Sequence, residues 1–154
     1  MGDNSFEGTS IIREKFIPYL KVSKLCETSN CSDTGTPTAG IILSNGSVIT
    51  FQRRINSAGC THTRLIAGTS VPICAVINVN TNGFKPPNKS GEDIFQFWMT
   101  PNSIIPTGLQ GDSEFDYCKR GIDGYGCAAW VIYNENMDYL HCNDLSWEGK
   151  TKCN

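Results

Sequence analysis

Apolar residues recur at four-residue spacing through Ile12, Phe16 and Leu20, with Ile11 and Tyr19 beside them, before the chain turns to shorter alternating segments. The first pattern predicts an amphipathic helix over Asn4–Leu25, with Ser5 able to cap it and Gly8 as its weakest point. Pro18 lies inside that stretch. It lacks the N–H that would bond the carbonyl of residue 14, so a kink or the end of the first half of the helix is expected there. The small, polar segment Thr28–Pro37 reads as an exit loop.

From Thr38 the texture is that of strands. Ala39–Leu43 and Val48–Phe51 flank Asn45–Gly46, the preferred dipeptide of a two-residue type I′ hairpin. Residues 56–64 read as polar loop, Ile73–Val79 as an apolar strand, and Asn80–Gly91 as a loop rich in asparagine, glycine and proline. Asp93–Met99 then alternates as an aromatic-rich strand, and Ser103–Ile105 adds a short one before Pro106. Gly121, Gly124 and Gly126 surround a tight turn. Ala128–Tyr133 is apolar and suits a short helix or a strand, which periodicity does not separate. The whole reads as one α+β domain over residues 3–154: a helix at 3–25, a mostly antiparallel sheet region at 38–106 and an irregular C-terminal region at 107–154. Residues 1–2 read as added start residues.

Composition narrows the class. The chain has 154 residues, 39% hydrophobic and 18% charged, with a formal charge of −2, which fits a globular domain. Positive residues are scattered, Arg53–Arg54 and Lys119–Arg120 being the adjacent pairs, so no basic stripe points to nucleic acid. No run approaches the roughly 20 apolar residues of a transmembrane helix, and no signal peptide is visible. Eight cysteines stand at Cys26, Cys31, Cys60, Cys74, Cys118, Cys127, Cys142 and Cys153. An even count without CxxC spacing reads as a disulfide framework of an exported protein, whose targeting segment is then expected to have been removed. On the order of a hundred connectivities exist for eight thiols. Short loops cost less entropy to close, so the sequential pairs 26–31, 60–74, 118–127 and 142–153 are expected.

Candidate chemistry is sparse. No G-x-S-x-G elbow occurs, and the two histidines, His62 and His141, neighbour cysteines whose bonded sulfurs would have no thiolate to attack with. The reading is therefore not an enzyme. Zinc lacks its close ligand couples. The Gly121–Gly126 run has the reverse of GxGxxG spacing and no apolar strand leading into it, so a turn between half-cystines is the simpler account. The loop Asn78-Val-Asn80-Thr-Asn82-Gly83, with Asp93 downstream, has the alternating oxygens of a calcium loop. Asn in place of the first Asp, and no Glu at the twelfth position, would make Asn78, Asn80, Asn82 and Asp93 a weak calcium set. The simpler account is a loop held by asparagine side chains bonded to backbone. No cofactor is otherwise expected.

The same loop carries a resemblance. Ile77-Asn-Val-Asn-Thr-Asn-Gly83-Phe-Lys85-Pro-Pro87-Asn88-Lys-Ser-Gly91-Glu-Asp93-Ile-Phe95 resembles the D-x-N-G-x-K-G-P-N-x-x-G-x-D-x-F segment of bacterial type IV pilin-like and type II secretion pseudopilin proteins. Gly124-Tyr-Gly126-Cys127-Ala-Ala-Trp130-Val, with Asn136-Met-Asp138-Tyr-Leu140, is similar to the G-Y-G-C-T-A-W-V to N-M-D-Y-L ending of that group. The hairpin at Gly40–Phe51 also fits. The chain departs from the family segment in having asparagine where that segment has aspartate, and proline where it has glycine.

The resemblance implies a pilin-like fold, with Asn4–Leu25 as the second half of a long N-terminal helix packed on the sheet. The missing apolar half would carry the prepilin cleavage site and the membrane anchor. Ile12, Phe16 and Leu20 would cover the sheet carrying Phe95 and Phe97. It also implies a structural subunit of a type IV pilus or type II secretion pseudopilus. Its partners would be copies of itself and other pilins, and it would sit in the bacterial inner membrane before joining a periplasmic or extracellular filament. The alternative is a secreted or pilus-tip adhesin gripping a ligand with exposed loops, for which an exposed aromatic patch around Trp130, Tyr133 or Trp147 would speak.

Overall fold

The computed structural model describes residues 6–27, 31, 39–53, 60, 62–119 and 124–154. The Ser5 cap, the Thr28–Pro37 loop apart from Cys31, residues 56–59 of the polar loop and the start of the Gly121–Gly126 turn lie outside them. In chain order the elements are α1 (Phe6–Phe16), a 3-10 turn (Ile17–Tyr19), β1 (Val22–Cys26), β2 (Gly40–Leu43), β3 (Val48–Arg53), β4 (His62–Ile66), β5 (Thr69–Ile73), β6 (Ala75–Asn80), β7 (Ile94–Met99), β8 (Ile104–Pro106), α2 (Glu114–Lys119), α3 (Ala128–Asn134) and a second 3-10 turn (Asp138–Leu140). The fold is α+β. No described helix is long and apolar enough to cross a membrane.

The N-terminal helix is shorter than its periodicity predicts. Pro18 cannot supply an α-helical N–H and disfavours α geometry in the residue before it, so α1 stops at Phe16 and tightens into the 3-10 turn. Leu20 is then extended, at φ −122° and ψ 145°. Residues 22–25, expected as helix, instead belong with Cys26 to a strand that pairs with β2, Lys24 opposite Ile42 and Cys26 opposite Gly40. The four-residue spacing itself ends at Leu20, with Lys24 at the next position, and sheet pairing takes over beyond it. Two buried polar groups fix α1 to this edge: Thr9 Oγ1 accepts the Ala39 N–H at 3.0 Å, and Arg13 Nη1 donates to the Cys26 carbonyl at 2.8 Å.

Six strands form one antiparallel sheet in the order β1-β2-β3-β6-β7-β8, while β4 and β5 make a separate hairpin. The period of two splits the large sheet into two faces. Ile41, Ile49, Phe51, Ala75 and Ile77 line the face under α1, where Ile12 is buried and Phe16 meets Phe51 at 5.0 Å between ring centroids. Burying each such side chain contributes about 1.5–3 kcal/mol. Phe97 joins this cluster as expected, but Phe95 does not. It packs at the far end of the same face against the C-terminal region.

The turn at Asn45–Gly46 differs from the expected type. Around Asn45–Gly46, the Leu43 N–H bonds the Ser47 carbonyl and the Gly46 N–H bonds the Leu43 carbonyl, each at 2.9 Å. Gly46 is at φ +89°, whereas Asn45 keeps negative φ and accepts the Ser47 N–H on its side chain. This is a three-residue loop with a glycine bulge, not the expected type I′ turn. Positive φ at both central positions occurs at Ala67–Gly68, between β4 and β5, in a segment whose start was read as polar loop. The expected Ile73–Val79 strand is likewise split. Cys74, bonded to Cys60 and donating its N–H to the Met99 carbonyl, separates β5 from β6.

The C-terminal region is a second small core. Phe115 stacks on Trp130 at 4.7 Å, with Trp147 tilted against both and Cys118, Cys127, Tyr139 and Leu145 around them. Ala128–Tyr133, open between helix and strand in the sequence, is helical as part of α3.

A candidate site on the open face of the sheet

Among the described residues, the face of the sheet away from α1 is not covered along its whole length. Its central floor is a grid set by register: Val48, Asn80 and Ile94 form one cross-strand row, Thr50, Asn78 and Gln96 the next, and Gln52, Val76 and Trp98 the third. The β4–β5 hairpin closes the third row from one side, where Ile66 and Ile73 pack on Val76 and Trp98. What remains is a groove of about 540 Å³ walled by Arg64, Glu114, Tyr125, Phe84, Asn88 and Ser90, with Cys31 reaching its margin.

Local sequence explains the walls. Tyr125 sits between two glycines because backbone presses on both sides. Gly124 has φ +61° and a Cβ there would fall on the Ser90 carbonyl, while a Cβ on Gly126 would fall on the carbonyl of Glu114. The fully buried Thr107 hydroxyl is in hydrogen-bond contact with the carbonyls of Gln96 and Tyr125, which fixes this wall to β7. On the other side, Asp93 is buried and holds the loop carrying Phe84 and Asn88. It accepts from the N–H groups of Asn88 at 2.8 Å and Lys89 at 2.6 Å, and from the Asn82 amide at 2.9 Å.

The groove is polar and electrically balanced. Gln96 Nε2 donates to Asn78 Oδ1 at 3.1 Å, and the Asn80 amide nitrogen lies 2.9 Å from the Asn88 amide. Arg64 pairs with Glu114 at 3.2 Å, and its guanidinium stands 5.1 Å above the Trp98 ring. Burial pushes the Glu114 carboxyl above its ordinary value; Arg64 opposes that shift and Asp112 adds to it. Trp98 is only 4% exposed, and its indole N–H has no hydrogen-bond partner. Among the described residues the side chains of Thr50 and Gln52 have none either.

The residues singled out in the sequence separate here. The cysteines form four disulfides, 26–31, 60–74, 118–127 and 142–153, and none is free. Asn78 and Asn80 belong to the groove floor, whereas Asn82 and Asp93 belong to the loop beside it. Each of the four is committed to hydrogen bonds within the fold, Asp93 with both carboxylate oxygens. Among the described residues no three His, Cys, Asp or Glu side chains gather as a metal site. Trp130, raised as a patch residue, is fully buried and donates to Asn136 at 3.0 Å; Tyr133 is exposed beside Trp147.

Thr50, Gln52, Gln96, Trp98, Arg64 and Glu114 were not read from the sequence as a site. The signal available was polar residues at alternate positions of β3, β6 and β7, but which strands adjoin is set by pairings between distant segments. Compared with known proteins, the chain matches no family model, no curated protein and no solved structure.

Proposed function

We propose that this protein is the head domain of a pilin or pseudopilin, a non-catalytic subunit that assembles with copies of itself and related subunits into a bacterial filament. The observation that carries the reading is the double apolar character of its N-terminal segment. Ile12 and Phe16 are spent on the sheet, while Ile11, 56% exposed, and Tyr19, 85% exposed, present large apolar side chains outward. Outward apolar groups on a helix suit packing against a neighbouring helix. A disulfide-stapled C-terminal region and the Asp93-centred loop, which carries the resemblance, agree with this reading.

Shearing surface filaments from cells that produce the protein and probing them with an antibody to this domain tests it. Recovery in the filament fraction, lost or reduced for Ile11→Asp, is the expected result. Recovery only as free protein from cells that bear filaments would overturn the proposal. The groove favours a second reading, a binding module, because unpaired polar groups line a concavity of ligand size.

A further inference from the structure

We infer that the groove on the open face of the sheet binds a short neutral saccharide through the side chains of Gln52, Asn78 and Gln96, with Trp98 at its floor. This rests on the binding-module reading and is independent of the filament reading.

Four observations select that class of ligand. First, the floor is a side-chain surface. The backbone of β6, the middle strand of these rows, is paired with β3 on one side and β7 on the other, so an extended peptide laid along the floor finds no free strand edge there to pair with. Recognition must come from the amides. Second, an amide offers a carbonyl acceptor and two N–H donors side by side, which matches hydroxyl groups that both donate and accept. Neighbouring strands stand ~4.8 Å apart and alternate residues ~6.7 Å apart along a strand. The amides of Gln52, Asn78 and Gln96 thus spread over a lattice suited to the hydroxyls around a sugar ring.

Third, the charges of the groove cancel. Arg64 and Glu114 face each other at 3.2 Å, leaving neither a cationic nor an anionic wall. A phosphate, a carboxylate or an ammonium group would have to break that pair. A neutral ligand need not. Fourth, the groove has polar groups without partners and apolar walls together. Among the described residues the side chains of Thr50 and Gln52 have none, while Phe84 and Tyr125 stand half-exposed at the rim. Aromatic surface beside hydrogen-bonding groups suits a ring with apolar C–H faces and a polar perimeter. A volume of about 540 Å³ lies within the ~300–1,000 Å³ of small-ligand sites.

The test is an affinity measurement on the folded, oxidised protein. The probes are neutral di- to tetrasaccharides of glucose, galactose, mannose and N-acetylglucosamine, a sialylated trisaccharide and a neutral tetrapeptide. Gln52→Ala is the decisive variant: its side chain bonds nothing among the described residues, so its melting temperature should not move. Binding of at least one neutral saccharide, weakened roughly 3- to 10-fold by Gln52→Ala and by Gln96→Ala, is expected. Tyr19→Ser, on the opposite side, should leave that binding unchanged while still impairing recovery with filaments.

Saccharide binding that is indifferent to both glutamine variants would overturn the inference, as would binding to none of the neutral probes. Binding of the tetrapeptide alone, sensitive to Gln52→Ala, would retain a binding groove but overturn the saccharide assignment. None of these outcomes alters the filament-recovery result, so the two proposals fail separately.

Discussion

Tyr139 illustrates how single side chains hold the C-terminal region to the sheet. Its hydroxyl donates to the Gly91 carbonyl at 2.7 Å in a buried setting, and burial, with the Glu92 charge, holds the phenol well above its ordinary value. Tyr139→Phe removes the donor and leaves a buried carbonyl unpaired, at a cost of about 1–3 kcal/mol in chemical denaturation. In an alkaline ultraviolet titration, one tyrosine should ionise only after the others and only with unfolding. Glu114 carries a pH signature of the opposite kind. Its carboxyl is raised in the folded state above the ordinary 4.5, so the native state binds a proton before the unfolded state does. Stability should therefore rise as pH falls from the raised folded value to the ordinary one, and be level again below it. Glu114→Gln should flatten that window. A wild-type contribution that fell on acidification through the same window would contradict the placement of this group.

At the scale of elements, the Asn80–Ile94 loop is the clearest case of a structure built by one carboxylate. Asp93 gathers two backbone N–H groups and one amide, while the Lys89 carbonyl accepts from Glu92, Asp93 and Ile94. Asp93→Asn replaces an acceptor by a donor that faces other donors, and about 1.5–3 kcal/mol of stability should be lost. Thermal denaturation checks this; an unchanged midpoint would mean that the loop does not depend on the charge. The elements also show where sequence reading succeeds. β2, β3, β6 and β7 were legible from local signals: the Asn45–Gly46 turn between two apolar runs, the apolar run Ile73–Val79 and the alternating aromatic segment Asp93–Met99. β1 was not legible, because its partners lie in β2 beyond an intervening polar segment and Val22 and Leu25 follow the helical pattern with no turn signal between them. The β4–β5 hairpin was missed because its exposed, polar strands have little apolar alternation. The same limit hid the groove: Asn78 and Asn80 drew notice as loop oxygens, but Gln52, Gln96 and Trp98 become their neighbours only through the β3–β6–β7 register.

Across the whole molecule, one sheet serves two purposes on its two faces. Among the described residues, α1 and the C-terminal core close one face, and the β4–β5 hairpin closes only part of the other. The disulfides join near neighbours in sequence and so staple local units. Cys118 and Cys127 are both buried and tie α2 to the start of α3, the two elements that supply Glu114 and follow Tyr125 at the groove wall. Replacing both by alanine should cost about 2–3 kcal/mol from loop closure alone and lower the melting temperature by several degrees. Saccharide affinity should fall with it if the wall loosens.

The central claim is that the open face of the sheet is a ligand site, and Trp98, in the floor of the groove beneath Arg64, reports on its surroundings. The chain has three tryptophans. Trp130 donates to Asn136 and Trp147 to the Gly108 carbonyl, at 3.0 and 3.2 Å, whereas the buried Trp98 indole has no partner among the described residues. In a nitrogen-15 NMR titration with the neutral saccharide of highest affinity, the Trp98 indole resonance and the Gln52, Asn78 and Gln96 amide resonances should shift together and saturably, while the Trp130 resonance stays in place. Saturable binding that moved other resonances and left these four unmoved would contradict the account.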